Sequence, residues 1–126
     1  MSVLIADDAE DSREMYAEYL AFKGYAVDTA TNGRDLLTKV ALKIPDVLVL
    51  DLTMPGVTGL DVIRTLRAEP RTANLFVIVV TANALKGTEA EVIAAGGDMY
   101  LAKPSLPEAL EAVIAAGRPR PRRRPS

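Results

Sequence analysis

The chain has 126 residues, of which 49% are hydrophobic and 25% charged, so it can bury a sizeable core and is too apolar to be disordered throughout. It contains no cysteine, which excludes a disulfide framework, and no histidine, which excludes imidazole metal ligands. The formal net charge is -2, yet residues 118–126 contain five arginines and no acid, so the remainder of the chain is acidic.

The sequence shows no sign of a targeting or membrane segment. The first apolar run begins at residue 3, and no run approaches the roughly 18 apolar residues of a membrane span. We therefore expect neither a signal peptide nor a transmembrane helix. Because the absence of cysteine suits a reducing compartment, we expect the protein to be cytoplasmic.

The N-terminal part of the chain predicts a strand, a helix and a second strand. Val3–Ala6 is the first strand, and Asp11 with Glu14 is typical of a capping box that starts a helix ending near Gly24. The second strand is predicted at Ala26–Ala30. The apolar face of the helix is predicted to consist of Met15, Tyr16, Tyr19 and Leu20.

The same alternation continues through the middle of the chain. A second helix is stopped by Pro45, and Val47–Leu50 follows as a strand that is apolar on both faces. The loop after Asp51 leads into a third helix, which Pro70 ends. The second helix is marked by Leu36, Leu37, Val40 and Ile44, and the third by Leu60, Ile63 and Leu66.

The C-terminal part predicts two more strands and two more helices. Leu75–Val80 is a buried strand, and the helix after it closes at the glycine pair 96–97. Met99–Ala102 is the fifth strand, and Ser105 with Glu108 forms a second capping box. The two helices are marked by Val92 and Ile93, and by Leu106, Leu110, Val113 and Ile114.

Alternating strands and helices of this kind predict an α/β fold. Five strands and five helices in one chain favour a three-layer α/β/α sandwich around a five-stranded parallel sheet. The last helix ends at Gly117, so we expect one domain over residues 1–117. Residues 118–126, rich in Arg and Pro, are expected to form a disordered tail. A solvated charge run is the simpler interpretation, and docking on an acidic partner or on nucleic acid is the alternative.

Four of the predicted strands end at polar side chains that chemistry can use. Asp7 and Asp8 follow the first strand, Asp51 the third, Thr81 the fourth and Lys103 the fifth. The carboxyl ends of parallel strands meet at one edge of a sheet, where open α/β folds carry their sites. Two unit charges about 4 Å apart repel by roughly 4 kcal/mol near a protein surface, so clustered carboxylates need a cation. Oxygen ligands without His or Cys favour Mg²⁺.

This pattern resembles the receiver domain of bacterial two-component response regulators. The likeness runs from about residue 2 to residue 117 and rests on the acidic pair, Asp51 with Met54-Pro55 and Gly59 after it, the threonine after strand four, and Lys103-Pro104. The resemblance implies a flavodoxin-like fold with strand order 2-1-3-4-5.

The resemblance also implies roles for the residues at the strand ends. Asp51 would be the phosphoacceptor, which takes a phosphoryl group from a histidine kinase or a histidine phosphotransfer protein. Mg²⁺ would be held by Asp7, Asp8, Asp51 and the backbone carbonyl of Thr53, with Asp8 the more direct ligand of the acidic pair. Lys103 would pair with Asp51 and later with a phosphoryl oxygen.

Further positions match family features that transmit the signal and limit its lifetime. The peptide bond before Pro104 is expected to be cis. Thr81 and Tyr100 resemble the switch pair, in which the threonine hydroxyl binds the phosphoryl group and the tyrosine turns inward from an exposed position. Thr53 and Asn83 would tune dephosphorylation, Asn83 by orienting the attacking water. The switch would alter the face of helix four, strand five and helix five, where we expect a downstream protein to bind.

Other classes of protein fit the pattern less well. A phosphohydrolase of the haloacid-dehalogenase kind needs a second Asp where Thr53 stands, and a flavin carrier needs a phosphate-binding loop where the chain is acidic. We interpret the chain as a signalling protein and not an enzyme, namely a single-domain response regulator without an output domain. Alternatives are a receiver-fold interaction module that works without phosphorylation and a fragment of a longer regulator. A chemotaxis-type regulator and a relay intermediate both remain open.

Overall fold

A parallel sheet forms the centre of the molecule. The computed structural model describes residues 1–52, 54, 58–82 and 88–117, and within these residues five strands pair in the order β2-β1-β3-β4-β5. The predicted strand order is therefore confirmed. The strands are β1 (Ser2–Ala6), β2 (Ala26–Ala30), β3 (Val47–Leu50), β4 (Phe76–Thr81) and β5 (Met99–Ala102).

Helices cover both faces of this sheet. In the described part of the chain they alternate with the strands, as expected for right-handed crossovers between parallel strands. The predicted three-layer sandwich is confirmed. The helices are α1 (Glu10–Phe22), α2 (Gly33–Leu42), α3 (Gly59–Ala68), α4 (Thr88–Ala95) and α5 (Pro107–Ala116).

The sheet separates two apolar cores. Because successive side chains of a strand point to opposite faces, Leu4 of β1 lies in one core and Ile5 in the other. The α2–α4 core includes Leu36, Val40, Ile63, Val77 and Val92, and the α1–α5 core includes Tyr16, Leu20, Ile78, Leu110 and Ile114. This double burial explains why β3 and β4 consist almost entirely of apolar residues.

Both predicted capping boxes are wrong. Helix α1 begins at Glu10 with Ala9 at its N-cap, and neither this cap nor Leu106 at the N-cap of α5 makes a side-chain capping bond. Pro107 is the first residue of α5, a position where its missing N–H costs nothing. Ser105 therefore precedes the cap, and its hydroxyl donates to the carbonyl of Ala102 at 2.6 Å.

Several boundaries and faces also differ from the prediction. Strand β4 is shifted one residue from the predicted Leu75–Val80, because its last residue still pairs with Ala102. Ile44 follows the end of α2 yet packs against the α2–α4 core. Some residues assigned to helix faces are instead exposed, namely Met15, Ile93 and Leu106.

An arginine that the sequence did not single out ties three elements together. Arg67 on α3 donates to the carbonyls of Gly96 at 2.9 Å and Leu75 at 2.7 Å, and it forms an ion pair with Asp98 at 2.9 Å. Asp98 also accepts the backbone N–H of Val77 at 2.8 Å. The end of α3 is thus fastened to β4 and to the turn between α4 and β5.

None of the helices in the described residues combines the length and the apolar character that a bilayer crossing requires.

Candidate functional site

Two aspartates stand side by side where β1 and β3 end. The hydrogen-bond ladder continues one residue beyond the strands, since the N–H of Asp51 donates to Ala6 O at 2.9 Å and that of Asp7 to Ala30 O at 3.0 Å. Asp7 is 3% exposed and Asp51 is 4% exposed. The predicted convergence of these two strand ends at one edge of the sheet therefore holds for Asp7 and Asp51.

Lys103 joins the two aspartates. Its Nζ lies 2.9 Å from Asp7 Oδ2 and 2.8 Å from Asp51 Oδ2, so one ammonium bridges both carboxylates. Its backbone N–H donates to Thr81 O at 2.9 Å, which places the lysine beside the end of β4. The peptide bond between Lys103 and Pro104 is cis, the form expected from the sequence.

The charges of this buried site do not cancel. Burial disfavours the charged form of Lys103, but hydrogen bonds and attraction from Asp51 and Asp7 outweigh it and raise the pKa of the lysine above its ordinary value. The ammonium is therefore present at neutral pH. Two carboxylates against one ammonium leave an excess negative charge in a region where water screens it poorly.

The residues present fit a magnesium ion. Asp7 and Asp51 supply oxygen ligands, and Mg²⁺ is commonly held by one or two carboxylates with waters and phosphate oxygens completing its octahedron. Asp8 follows Asp7 directly but is exposed. In the described part of the chain, no three acidic, histidine or cysteine side chains lie close enough together to form a metal cluster. The four-ligand set with Thr53 stays a prediction, because Thr53 lies outside the described residues.

The start of α1 holds the other side of Asp7. The second carboxylate oxygen of Asp7, Oδ1, accepts the N–H of Ala9 at 2.9 Å, and Arg13 Nη1 donates to the backbone carbonyl of Asp7 at 3.0 Å. Arg13 was not among the predicted site residues. A basic residue near a helix N-terminus interacts unfavourably with the helix dipole. The unusual position of Arg13 was therefore the feature of the sequence that could have indicated a specific contact.

The predicted switch residues lie on neighbouring strands, two register positions apart. Thr81 is fully buried at the end of β4, and Tyr100 on β5 pairs in register with Val79. Tyr100 is already half-buried and packs against the α2–α4 core, so its side chain does not start from the exposed position that was expected. Their coupling as a switch stays a prediction.

Gly59 gives α3 its close approach to the end of β3. A Cβ at this position would lie 2.9 Å from the Cα of Leu52 and 2.7 Å from its Cδ2, which real Cβ atoms do not tolerate. The glycine therefore lets the first turn of α3 pack directly against the residue that follows Asp51. Thr58 caps the helix by accepting the N–H of Asp61 at 3.2 Å.

Tyr16 enters the site from α1, although the sequence placed it only on an apolar helix face. Its hydroxyl donates to the backbone carbonyl of Ser105 at 2.8 Å, two residues after Lys103. Burial raises the pKa of the Tyr16 phenol; nearby Lys103 opposes this, and Asp7 and Asp51 add to it. A tyrosine on a buried helix stripe usually needs a hydrogen-bond partner, and that was the signal in the sequence.

Other predicted positions lie outside the described residues. These are Asn83, Thr53 and the tail at residues 118–126. Their predicted roles stay predictions.

Comparisons with known proteins agree with this geometry. The sequence matches the family described as response regulator receiver domain over residues 3–115. It is 40% identical to response regulator MprA of Mycobacterium leprae, over 92% of this chain and 50% of MprA. It is 31% identical to the polar-differentiation response regulator DivK of Brucella anthropi, over 89% of this chain and 92% of DivK.

Solved structures give the same result. The chemotaxis response regulator CheY4 of Vibrio cholerae superposes with a TM-score of 0.85 at 30% sequence identity, covering 91% of this chain and 96% of CheY4. The chain spans about half the length of MprA, so the activities of such longer regulators are not transferred to it directly.

Proposed function

The chain belongs to the response regulator receiver family, and we propose that it accepts a phosphoryl group on Asp51 and signals through altered protein contacts. The observation that carries this proposal is the buried Asp51 carboxylate, bridged by Lys103 to Asp7 at the edge of the sheet. Two carboxylates beside one ammonium support this proposal, because carboxylate oxygens are the ligands that suit a bound Mg²⁺.

The chemical step is an in-line displacement at phosphorus. A carboxylate oxygen of Asp51 forms the new O–P bond while the P–N bond of a phosphohistidine breaks, and the electron pair of that bond stays on the histidine nitrogen. Lys103 already lies 2.8 Å from Asp51, so it can turn to a phosphoryl oxygen with little movement. Bound Mg²⁺ would supply charge neutralisation at the phosphoryl oxygens, and Asp7 and Asp51 would hold it with Asp8 and Thr53.

The response to phosphorylation would start at Thr81. A phosphoryl group adds about -1.5 to -2 charge at pH 7 and new hydrogen-bond acceptors. The Thr81 hydroxyl would donate to it, and Tyr100 on the neighbouring strand would turn further inward. A downstream protein would bind the face of α4, β5 and α5, and the 51% exposure of Ile93 on α4 is compatible with such a contact.

Phosphorylation by a small donor tests the proposal. We expect purified protein incubated with Mg²⁺ and acetyl phosphate to gain the mass of one phosphoryl group, measured by intact mass spectrometry. The variant Asp51→Asn should show no gain. The matched control is Asp28→Asn, which removes a carboxylate on β2 whose side chain is 70% exposed, and it should gain mass as the wild type does.

Two outcomes would contradict the proposal. Wild-type protein that gains no mass with Mg²⁺ would favour the alternative of a receiver-fold interaction module that works without phosphorylation. A gain that persists in Asp51→Asn would place the modification elsewhere. Removal of Mg²⁺ with a chelator should stop the reaction, and addition of excess Mg²⁺ should restore it. A protein that stays unreactive after Mg²⁺ is added back has been inactivated and does not merely lack the ion.

A further inference from the structure

Tyr16 makes a contact that the proposed chemistry does not by itself require. Its side chain is 2% exposed, and its hydroxyl reaches across from α1 to the Ser105 carbonyl at 2.8 Å. The two residues are 89 positions apart in the sequence. A phenylalanine would fill the same space in the α1–α5 core, so the hydroxyl has a purpose other than packing.

The partner of this hydroxyl is the backbone of the loop that carries Lys103. The loop runs from Lys103 to Leu106, and both Pro104 and Leu106 are exposed. Its start is held by the Lys103 N–H on Thr81 O at 2.9 Å. The bond from Tyr16 fastens the middle of the loop to a rigid helix.

Helix α1 fastens the aspartate side of the site as well. Arg13, one turn before Tyr16, donates to the backbone carbonyl of Asp7 at 3.0 Å. Residues three apart lie on the same side of a helix, so α1 presents both donors to the two loops that meet at the site. The helix thus braces the strand end that carries Asp7 against the loop that carries Lys103.

From this arrangement we infer that Tyr16 is a positioning residue, which holds the loop between β5 and α5 so that the Lys103 ammonium stays in register with Asp7 and Asp51. The inference rests on the proposed function. The ammonium has to follow the charge from a carboxylate to a phosphoryl oxygen. Misplacement of a reacting group by about 1 Å can cost on the order of a hundredfold in rate, so a loosened loop slows the transfer.

The test compares rates of phosphorylation by acetyl phosphate for wild type and Tyr16→Phe. We expect the maximal rate of Tyr16→Phe to fall about three- to tenfold, the worth of one hydrogen bond, with the half-saturating donor concentration unchanged. In a Lys103→Ala background the same substitution should have no further effect, because the hydroxyl acts through the lysine.

A second tyrosine provides the matched control. The hydroxyl of Tyr25 donates to the Glu111 side chain of α5 at 2.8 Å, a bond of the same length that does not contact the Lys103 loop. We expect Tyr25→Phe to phosphorylate at the wild-type rate. Urea unfolding of both variants measures how much each hydroxyl contributes to the free energy of unfolding. Both variants can lose stability, but only Tyr16→Phe should also lower the rate of phosphorylation.

The outcomes separate this inference from the proposed function. If wild type is not phosphorylated, the proposed function fails. If wild type is phosphorylated and Tyr16→Phe matches it, or if the loss is as large in the Lys103→Ala background, Tyr16 has only a structural role. If Tyr16→Phe does not fold, the exchange of tyrosine hydroxyl protons with water can be measured by NMR on the wild type. A Tyr16 hydroxyl proton that exchanges as fast as that of Tyr19 would overturn the inference.

Discussion

Lys103 holds together two buried carboxylates that would otherwise repel each other. Removal of one partner from a buried ion pair commonly costs about 3–5 kcal/mol, because the remaining charge stays desolvated. We expect Lys103→Met to lower the free energy of unfolding by about 3 kcal/mol in metal-free buffer, measured by urea titration. Adding Asp51→Asn should recover part of this loss, since only one buried carboxylate then remains.

The pH dependence of this effect has a defined sign. The pKa of Lys103 is raised in the folded state, so its contribution is complete below the ordinary lysine value of about 10.4 and is lost as the pH rises through the folded value. The difference between wild type and Lys103→Met should therefore be constant near neutral pH and shrink only in alkali. A difference that is already shrinking at neutral pH would contradict the bridging geometry.

At the scale of secondary-structure elements, Arg67 is the main polar connection that fastens α3 to its neighbours. The arginine side chain of the Arg67–Asp98 pair is 10% exposed and the aspartate 7%, and three further carbonyls accept from the guanidinium besides that of Gly96. We expect Arg67→Ala to cost about 3–5 kcal/mol in the free energy of unfolding, because Asp98 would be left buried with an uncompensated charge.

The same helix supplies the control for this prediction. Arg64 pairs with Asp61 at 3.0 Å, but the two side chains are 58% and 59% exposed. Exposed pairs of this kind contribute about 0–1 kcal/mol, so Arg64→Ala should unfold almost like wild type. Equal losses for the two variants would mean that Arg67 acts through general helix propensity and not through its buried contacts.

The strands could be predicted from the sequence more reliably than the helix starts. Strands β3 and β4 are covered on both faces, so their sequences are continuous apolar runs that are easily recognised. Helix starts depend on local competition between polar groups. The carboxylate of Asp7 accepts the N–H of Ala9 and so turns the chain before α1, and Pro107 fixes the first turn of α5. The residues predicted to form capping boxes therefore do not occupy the N-cap positions.

In the site as well, some residues could be predicted from the sequence and others could not. Asp7, Asp51 and Lys103 could be predicted because each follows an apolar strand, and parallel strand ends meet at one edge. The contacts of Tyr16 and Arg67 join residues far apart in the sequence. Residue periodicity reports which face of a helix is buried but not which carbonyl a hydroxyl or guanidinium reaches, so these contacts required coordinates.

At the scale of the whole molecule, the core residues found in the described part of the chain all precede the Arg/Pro-rich segment. The last core residue of α5 is Ile114, and the family match ends at residue 115. We propose that residues 1–117 form the folded domain. If this proposal is right, deletion of residues 118–126 should leave the melting temperature within about 2 °C of the full chain, measured by circular dichroism, since changes away from the folded core contribute little.

A labelling comparison completes this test. The shortened chain should also accept phosphate from acetyl phosphate at the rate of the full chain, because the residues of the site lie well before position 117. A large fall in the melting temperature would show that the basic segment packs on the domain. Such a result would replace the interpretation of these residues as a solvated charge run.

The bridge between Lys103 and the two aspartates also bears on how the protein is assembled. Strands β1 and β3 are neighbours and are synthesised early, whereas Lys103, which bridges the aspartates after them, directly follows β5. Until Lys103 docks, Asp7 and Asp51 lie without the ammonium that bridges them in the folded protein. A chain that stops before Lys103 should therefore fold less stably, and the bridge between the two aspartates can form only after β5 has been synthesised.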